Sequence, residues 1–120
     1  MSEHIQQSLL FDILRLNEQK YPYLKYIFAV PNGGARHPAT AAKLKREGVK
    51  KGVWDIFVPI VLKNHPGMFI EMKYGRNTLT DEQKEFSGFA SAGGYKMAVC
   101  YSALDAIKEI ENYLKIRLSK

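Results

Sequence analysis

Two side chains that could do chemistry interrupt an otherwise apolar segment. Residues 68–73 (MFIEMK) predict a strand that crosses a packed core, with Glu71 and Lys73 as its charged members. Side chains two residues apart in a strand point to the same face, so a carboxylate and an ammonium lie side by side. Burying such charges is costly unless they are paired or bind a metal. In isolation, a solvated Glu–Lys pair on an edge strand is the more common explanation.

A second carboxylate stands on the segment that precedes this strand. Residues 53–62 (VWDIFVPIVL) are apolar apart from Asp55 and predict a strand that is mostly covered on both faces. An aspartate near the start of such a strand is out of place unless it has a partner. Residues 63–67 (KNHPG) predict a turn, so the two strands would form an antiparallel hairpin.

The hairpin register decides whether the two carboxylates meet. Asp55 and Glu71 face each other if the turn is centred on position 63, whereas a centre near His65 displaces them by about four residues. Pro59 and Gly67 predict irregular pairing, so both registers stay open.

Convergence of these side chains would create a metal site. Two carboxylates and a backbone carbonyl are hard oxygen ligands suited to Mg²⁺ or Mn²⁺. Lys73 would then stand beside the metal, where it could orient or deprotonate an attacking water and balance phosphate charge.

Other common chemistries lack their residue patterns. One cysteine cannot complete a zinc site with three scattered histidines, which are His4, His37 and His65. Asn32-Gly33-Gly34 is not a P-loop, because no Gly-Lys-Ser/Thr follows it. Cys100 is expected to be a small core residue. A basic protein with aromatic residues could also bind single-stranded nucleic acid by stacking the bases on its rings. However, the aromatic residues of the predicted strands are expected in the core: Tyr26, Phe28, Phe57 and Phe69.

The charge balance favours a polyanionic partner. The net charge is +6 with a pI near 9.4, and five basic residues cluster within positions 43–51. No apolar run approaches the about 20 residues that span a bilayer, and the N-terminus lacks the layout of a signal peptide. We therefore expect an intracellular, cytoplasmic protein.

The chain predicts the element order α-β-α-β-β-α-β-α, with helices and strands at residues 3–19, 25–30, 39–47, 53–62, 68–73, 81–92, 95–101 and 103–118. Thr80-Asp81-Glu82-Gln83 fits a capping box, and Ser2 and Ser102 are further N-caps. The strand–helix–strand unit over 68–101 implies a right-handed parallel crossover. The sheet is therefore mixed, with helices packed on it.

Helical spacing predicts which residues face the core. For the first helix these are Ile5, Leu9, Ile13 and Leu16, with Leu10 and Leu14 widening the apolar stripe. Glu3 lies one heptad before Leu10, a rotation of about 20°, so it sits near the edge of this face. The later helices contribute Phe86, Phe89, Leu104, Ile107, Ile110, Leu114 and Leu118.

Taken in chain order, these motifs resemble the VRR-NUC domain of the PD-(D/E)xK nuclease superfamily. The matching residues are Gly52-Val53-Trp54-Asp55, Glu71-Met72-Lys73, Thr80-x-x-Gln83, the turn Asn32-Gly33-Gly34-x-Arg36, and an N-terminal helix with Glu3 and Gln6 or Gln7. Trp54 replaces the proline of the superfamily name, which shapes the backbone and carries no ligand. The resemblance implies one domain over 1–120 with a restriction-endonuclease-like mixed β-sheet core (α-β-β-β-α-β) flanked by helices, an extra helix after the first strand and a C-terminal helix.

The resemblance also implies roles for individual residues in Mg²⁺- or Mn²⁺-dependent hydrolysis. Asp55 and Glu71 would bind the metal together with the Met72 carbonyl, and Lys73 would position the nucleophilic water. Glu3 would be an outer or second-metal ligand through water. Gln83 would support the site, although its capping role is itself a sufficient explanation. Candidates for phosphate contact are Arg36, Lys43, Lys45, Arg46, Lys50 and Lys51.

These implications predict a structure-specific DNA endonuclease. Stand-alone members of the family resemble Holliday-junction resolvases in fold. We therefore expect four-way junctions as the substrate and a homodimer as the active assembly. Cleavage of flaps or other branched double-stranded DNA is the alternative within this class. A basic DNA-binding module without catalysis and a partner-binding α/β domain are the alternatives from other classes.

Overall fold

Four strands form a mixed sheet in which chain order is also spatial order. In the computed structural model, which describes residues 3–31 and 37–120 and only the main chain of Glu3, the strands are β1 (Phe28–Ala29), β2 (Ile56–Val58), β3 (Met68–Met72) and β4 (Lys96–Cys100). The pairs β1–β2 and β2–β3 are antiparallel, and β3–β4 is parallel. The predicted hairpin, crossover and mixed sheet are therefore confirmed.

The described residues contain four α-helices: α1 (Glu3–Leu16), α2 (Pro38–Arg46), α3 (Asp81–Ala92) and α4 (Ala103–Leu114). The predicted caps of α3 and α4 are present, because Thr80 forms a full capping box and the Ser102 hydroxyl accepts from the N–H of Asp105. Gly48, at φ +103°, follows α2 as the predicted stop. Within the described residues, no helix is long and apolar enough to cross a membrane.

The main core lies on one face of the sheet, under α1 and α4. Strand β3 turns Met68, Ile70 and Met72 toward these helices, and all three are buried. They pack in one cluster with residues of the other elements: Leu10, Leu14, Ile56, Val58, Cys100, Ala106, Ile107 and Ile110. The opposite face of β3 carries Phe69 and Glu71, since strand side chains alternate.

The inward face of α1 differs from the predicted one. Leu10, Ile13 and Leu14 are buried as expected, but the structure exposes Ile5, Leu9 and Leu16. The helix is rotated because Asn17 takes an inward position just beyond its end. The Asn17 amide donates to the Ser119 carbonyl at 2.7 Å and accepts from the Ser119 N–H at 2.8 Å, which ties the C-terminus to α1. Hydrophobic spacing cannot reveal a bond between residues so far apart in sequence.

The predicted first strand is shorter than expected. Pro22 begins a 3₁₀ helix (Pro22–Tyr26), which leaves only Phe28 and Ala29 in β1. Strand β2 similarly ends before Pro59. Four side chains expected in the core are exposed instead, namely Tyr26, Phe28, Phe89 and Leu104. The nearby core positions are taken by smaller residues such as Ala90, Ala103 and Ala106, which let the helices approach the sheet closely.

A close backbone approach joins α3 to the segment before β2. Gly52 has φ +90°, and a Cβ built on it would lie 2.5 Å from the carbonyl oxygen of Glu82 in the first turn of α3. Gly48 has a similar φ of +103°, but no atom of the described residues outside its chain neighbours lies within 4 Å of its Cβ position. Only glycine fits at position 52 without moving the helix.

These two glycines make a matched pair for substitution. Gly48→Ala should lower the free energy of unfolding by about 1–2 kcal/mol, which is the cost of a left-handed conformation. Gly52→Ala should cost more than Gly48→Ala in urea unfolding, because it adds the clash with Glu82. Equal losses from the two variants would contradict the close approach.

Candidate active site

Asp55 and Glu71 stand opposite each other at the same end of the β2–β3 hairpin. The register pairs Ile56 with Ile70 and Val58 with Met68, so the hairpin is centred on position 63. Asp55 immediately precedes β2 and is therefore aligned with Glu71. Of the two registers compatible with the sequence, the structure adopts the one that brings the carboxylates together.

Each carboxylate is held by the backbone of the neighbouring strand. The Asp55 N–H donates to Oε1 of Glu71 at 3.1 Å, and the Met72 N–H donates to Oδ2 of Asp55 at 2.9 Å. These reciprocal bonds stabilise carboxylates in a fixed orientation because charge-assisted hydrogen bonds are stronger than neutral ones. The pair is thus positioned by the ends of two strands.

Glu71 and Lys73 are not a solvated edge pair. Strand β3 lies between β2 and β4, and Glu71 and Lys73 are only 3% and 8% exposed. Lys73 Nζ lies 3.5 Å from Oε2 of Glu71. Two buried charges at this distance compensate each other's loss of solvation only when further hydrogen bonds complete the arrangement.

Gln83 supplies those bonds from the first turn of α3. Its Nε2 donates to Oε2 of Glu71 at 2.8 Å, and its Oε1 accepts from Lys73 Nζ at 2.8 Å. The same Oε1 accepts from the Thr80 N–H at 3.0 Å, which is the capping-box bond. One side chain therefore caps α3 and bridges Glu71 and Lys73.

Trp54 positions this turn of α3, and sequence reasoning gave it no role. Its indole N–H donates to the backbone carbonyl of Gln83 at 3.0 Å, and the ring is almost fully buried. Together with the close approach at Gly52, this bond holds α3 against the start of β2. The available signal was the single tryptophan of the chain standing next to Asp55, where the superfamily name has proline.

The surroundings of Glu71 favour its neutral form. The pKa of this carboxyl is raised to about 7, first by burial and then by the charge of Asp55, against the opposing effects of Lys73 and the hydrogen bonds. A site where two carboxylates cannot both ionise easily is one where a cation would be strongly attracted.

The donor set fits a hard divalent cation. Asp55 and Glu71 offer carboxylate oxygens, and the Met72 carbonyl lies between Glu71 and Lys73 in the chain. The described residues contain no group of three or more His, Cys, Asp or Glu side chains that could hold a metal. The side chain of Glu3, the predicted further ligand, lies outside the described residues.

Five of the six predicted phosphate contacts lie among the described residues, on α2 and on the loop after it. Lys43, Lys45 and Arg46 form the basic last turn of α2, a helix with no buried residue. Lys50 and Lys51 are exposed in the loop that leads to Gly52 and so lie close in sequence to the site. Arg36 and the Asn32-Gly33-Gly34 turn fall outside the described residues.

Comparison with known proteins supports one family. No family model and no curated protein matches the sequence. A solved structure described as "VRR_NUC domain protein" is similar, with a TM-score of 0.77 and 28% identity over 96% of this chain and 89% of that chain. This likeness extends over nearly all of the chain, including the hairpin on which Asp55 and Glu71 meet. Motifs, fold and likeness together support a VRR-NUC domain, a nuclease-type domain with a restriction-endonuclease-like fold.

Proposed function

We propose that this VRR-NUC domain, over residues 1–120, is a Mg²⁺- or Mn²⁺-dependent endonuclease that hydrolyses phosphodiester bonds of branched double-stranded DNA inside the cell. The observation that carries the proposal is the meeting of Asp55, Glu71 and Lys73 at one end of the sheet, joined through Gln83. A purely structural role does not explain why the half-buried Asp55 converges with the buried Glu71 and Lys73.

The proposed metal ligands are Asp55, Glu71 and the Met72 carbonyl, with Glu3 as a further ligand through water. A bound cation would lower the pKa of an attacking water and stabilise the charge that develops on the phosphate. The residue assigned to binding and orienting that water is Lys73, whose ammonium is already held by Glu71 and Gln83. The water oxygen forms a bond to phosphorus while the bond from phosphorus to a sugar oxygen breaks.

Basic side chains would bind the DNA backbone outside the cleavage site. Lys43, Lys45 and Arg46 project from a helix that contributes nothing to the core, so their positions are explained better by a partner than by packing. Lys50, Lys51 and Arg36 are assigned to the same surface. Contacts to phosphate position DNA without reading its sequence, which suits an enzyme that recognises structure.

The substrate that we propose first is a four-way junction, and the assembly that cuts it is a homodimer. A symmetric dimer would present two active sites to a symmetric substrate, which a chain of 120 residues cannot do alone. The exposed Leu9 and Leu16, one heptad apart on α1, offer an apolar stripe for such a contact. Flap cleavage is the alternative within this class, and a non-catalytic DNA-binding module is the alternative from another class.

Replacing Lys73 distinguishes an enzyme from a binding module. Lys73→Met keeps an unbranched side chain one atom shorter and removes its charge, and it should lower cleavage at least about 100-fold because positioning of the nucleophile is lost. Binding to DNA in Ca²⁺ should stay within about two-fold, since at most one phosphate contact is removed. Lys108→Met, on an exposed face of α4, is the control.

The assay uses labelled duplex, flap, splayed and four-way DNAs with Mg²⁺ and with Mn²⁺, and sedimentation of the same preparation gives its oligomeric state. Wild-type protein that binds junctions but cuts no substrate with either metal would refute catalysis. A monomer that cuts flaps but not junctions would favour the alternative substrate.

The two roles of Gln83 can be separated by comparing Gln83→Ala with Thr80→Ala. Both variants remove part of the capping box and should each lower the free energy of unfolding by about 0.5–2 kcal/mol. Only Gln83→Ala also removes the bonds to Glu71 and Lys73, so only it should reduce the cleavage rate, by about 10-fold or more. If Gln83→Ala and Thr80→Ala are equally stable and cleave at equal rates, Gln83 acts only as part of the cap of α3.

The raised pKa of Glu71 predicts how stability depends on pH. The folded protein holds the proton of Glu71 more tightly than the unfolded chain does. The contribution of this proton to the free energy of unfolding is therefore fully present below pH 4.5 and is lost as pH rises through about 7. The Tm of metal-free protein should therefore fall between pH 5 and pH 8, and Glu71→Gln should flatten this dependence. Mg²⁺ or Mn²⁺ should raise Tm more at pH 8 than at pH 5. An unchanged slope in Glu71→Gln would contradict the assignment.

A further inference from the structure

A basic cleft lies at the end of the sheet opposite the candidate active site. It has a volume of about 630 Å³ and is bounded by the β2–β3 turn, the start of β4 and the C-terminal end of α4. Each of these three segments contributes one lysine to the lining, namely Lys63, Lys96 and Lys115. None of the three belongs to the basic run at positions 43–51.

The three lysines are not neutralised within the protein. None of them forms an ion pair with another described residue. Glu109 is the acidic residue of the lining, so three positive charges face one negative charge and the cleft has a net charge of +2 with His65 neutral. Like charges that are brought together repel each other, and a bound anion would relieve this repulsion.

The backbone holds two of these lysines in place. Lys63 lies at the tip of a turn closed by two bonds, because the Leu62 N–H donates to the His65 carbonyl at 2.7 Å and the His65 N–H donates to the Leu62 carbonyl at 3.3 Å. Lys115 ends α4 with φ 56°, a left-handed conformation that glycine or asparagine adopts more readily. The helix dipole favours a lysine at this position. It does not explain why lysines from three distant segments line one cleft.

The lining suits phosphate groups better than bases. A lysine ammonium binds phosphate as a compact point charge, and the exposed amides of Asn64 and Asn112 can donate to phosphate oxygens. Tyr113 is buried, and its hydroxyl donates to a backbone carbonyl at 2.8 Å. His65 Nδ1 lies 2.7 Å from the carbonyl oxygen of Gly94. Both rings are thus held by the fold, and the cleft offers positive charge without a free ring for stacking.

The cleft and the candidate active site face in different directions. The β3–β4 register aligns Lys96 with Met68 and Glu71 with Val99, so Lys96 and Glu71 are three residues, or roughly 10 Å, apart along the strands. Lys96 shares a face of β4 with Ala98, which packs in the core under α4, whereas Glu71 lies on the opposite face.

A straight duplex cannot readily reach both places. Double-stranded DNA is stiff, with a persistence length of about 150 bp, so a short duplex would have to bend sharply around the domain. Branched DNA sends its arms in different directions from one point. It can therefore present one arm to the carboxylates and the phosphates of another arm to the cleft.

We propose that this cleft binds the phosphate groups of a second double-stranded arm of a branched DNA substrate, while the first arm is cut at the site of Asp55, Glu71 and Lys73. This inference rests on the proposed nuclease function and gives a physical basis for its preference for branched DNA. The lysines of the cleft contact DNA and take no part in the hydrolytic step.

Binding measured in Ca²⁺ tests the cleft without cleavage. The triple variant Lys63→Gln, Lys96→Gln and Lys115→Gln should bind four-way DNA about 10-fold or more weakly than the wild type. The plot of log K against log salt should become less steep by about 2 to 3, because up to three phosphate contacts are lost. Binding to a straight duplex of the same length should change by less than about two-fold, because the duplex does not reach the cleft.

The matched control removes the same number of charges elsewhere. The triple variant Lys20→Gln, Lys25→Gln and Lys108→Gln changes exposed positions outside the cleft. It should bind four-way DNA and straight duplex within about two-fold of the wild type, since net charge alone is then altered. Urea unfolding of both triple variants verifies that each remains folded.

A crosslink can identify the arm that occupies the cleft. Asn112→Cys introduces a thiol at an exposed position of the lining, to which a photoactivatable group is attached. The native Cys100 should not react, because it is buried and burial raises the pKa of its thiol to about 12. The crosslink should form with an arm other than the one that is cut. A crosslink confined to the cut arm would contradict the proposal.

The two proposals fail in different ways. If the wild type cuts branched DNA but the cleft variant binds it as the control does, the cleft is refuted and the nuclease function stands. If the cleft variant loses affinity for four-way DNA but the wild type cuts no substrate, the nuclease function is refuted and the cleft stands as part of a DNA-binding module.

Three further outcomes would overturn the role of the cleft. The first is an equal loss of affinity for four-way DNA and for straight duplex. The second is a change of oligomeric state confined to the cleft variant, which would assign the cleft to a contact between copies of the chain. The third is binding of inorganic phosphate or ATP that depends on the three lysines while DNA binding is unchanged, which would assign the cleft to a free phosphorylated molecule.

Discussion

The structure depends on the burial of two charged side chains at the end of a central strand. Glu71 lies in β3 and Lys73 directly follows this strand, and both are buried where neither can be solvated in the ordinary way. Their burial is tolerable because each has a partner within hydrogen-bond or ion-pair distance. An apolar pair at these positions would cost less in desolvation, so their retention in the core is more consistent with a chemical role than with stability.

Helix α3 links this charged site to the rest of the fold. Its first turn is fixed by the close approach at Gly52 and by the bond from Trp54, and it presents Gln83 to both charged residues. Its second turn carries Phe86, whose ring contacts Phe69 on the same face of the sheet as Glu71. The site and this aromatic contact therefore share one rigid support, and both lie on the face of the sheet opposite the α1–α4 core.

Local patterns predicted the elements well but their orientation less well. The capping box at Thr80, the N-cap at Ser102 and the stop at Gly48 follow from short-range backbone requirements, and all are present. The antiparallel β2–β3 pair and the parallel β3–β4 pair follow from the order of the elements and are also present. The prediction of the inward face of α1 was wrong because the apolar stripe of this helix is wide and allows more than one orientation. The observed orientation is the one in which Asn17 lies inward and bonds to Ser119. Phe28, Phe89 and Leu104 were misplaced for the same reason, since residue type does not reveal which side of an element is covered.

The sequence by itself determined the residue types of the site and the order of the strands that carry it. The predicted hairpin could bring Asp55 and Glu71 together in one of two registers, and Gln83 was predicted to cap the helix that follows and, from the resemblance, to support the site. Tertiary structure decided the register centred on position 63, the interior place of β3, and the reach of Gln83 to both charged residues. These outcomes depend on contacts between distant segments, among them the packing of Gly52 against Glu82 and of β4 along β3. Burial then turned an ordinary Glu–Lys pair into a candidate metal site.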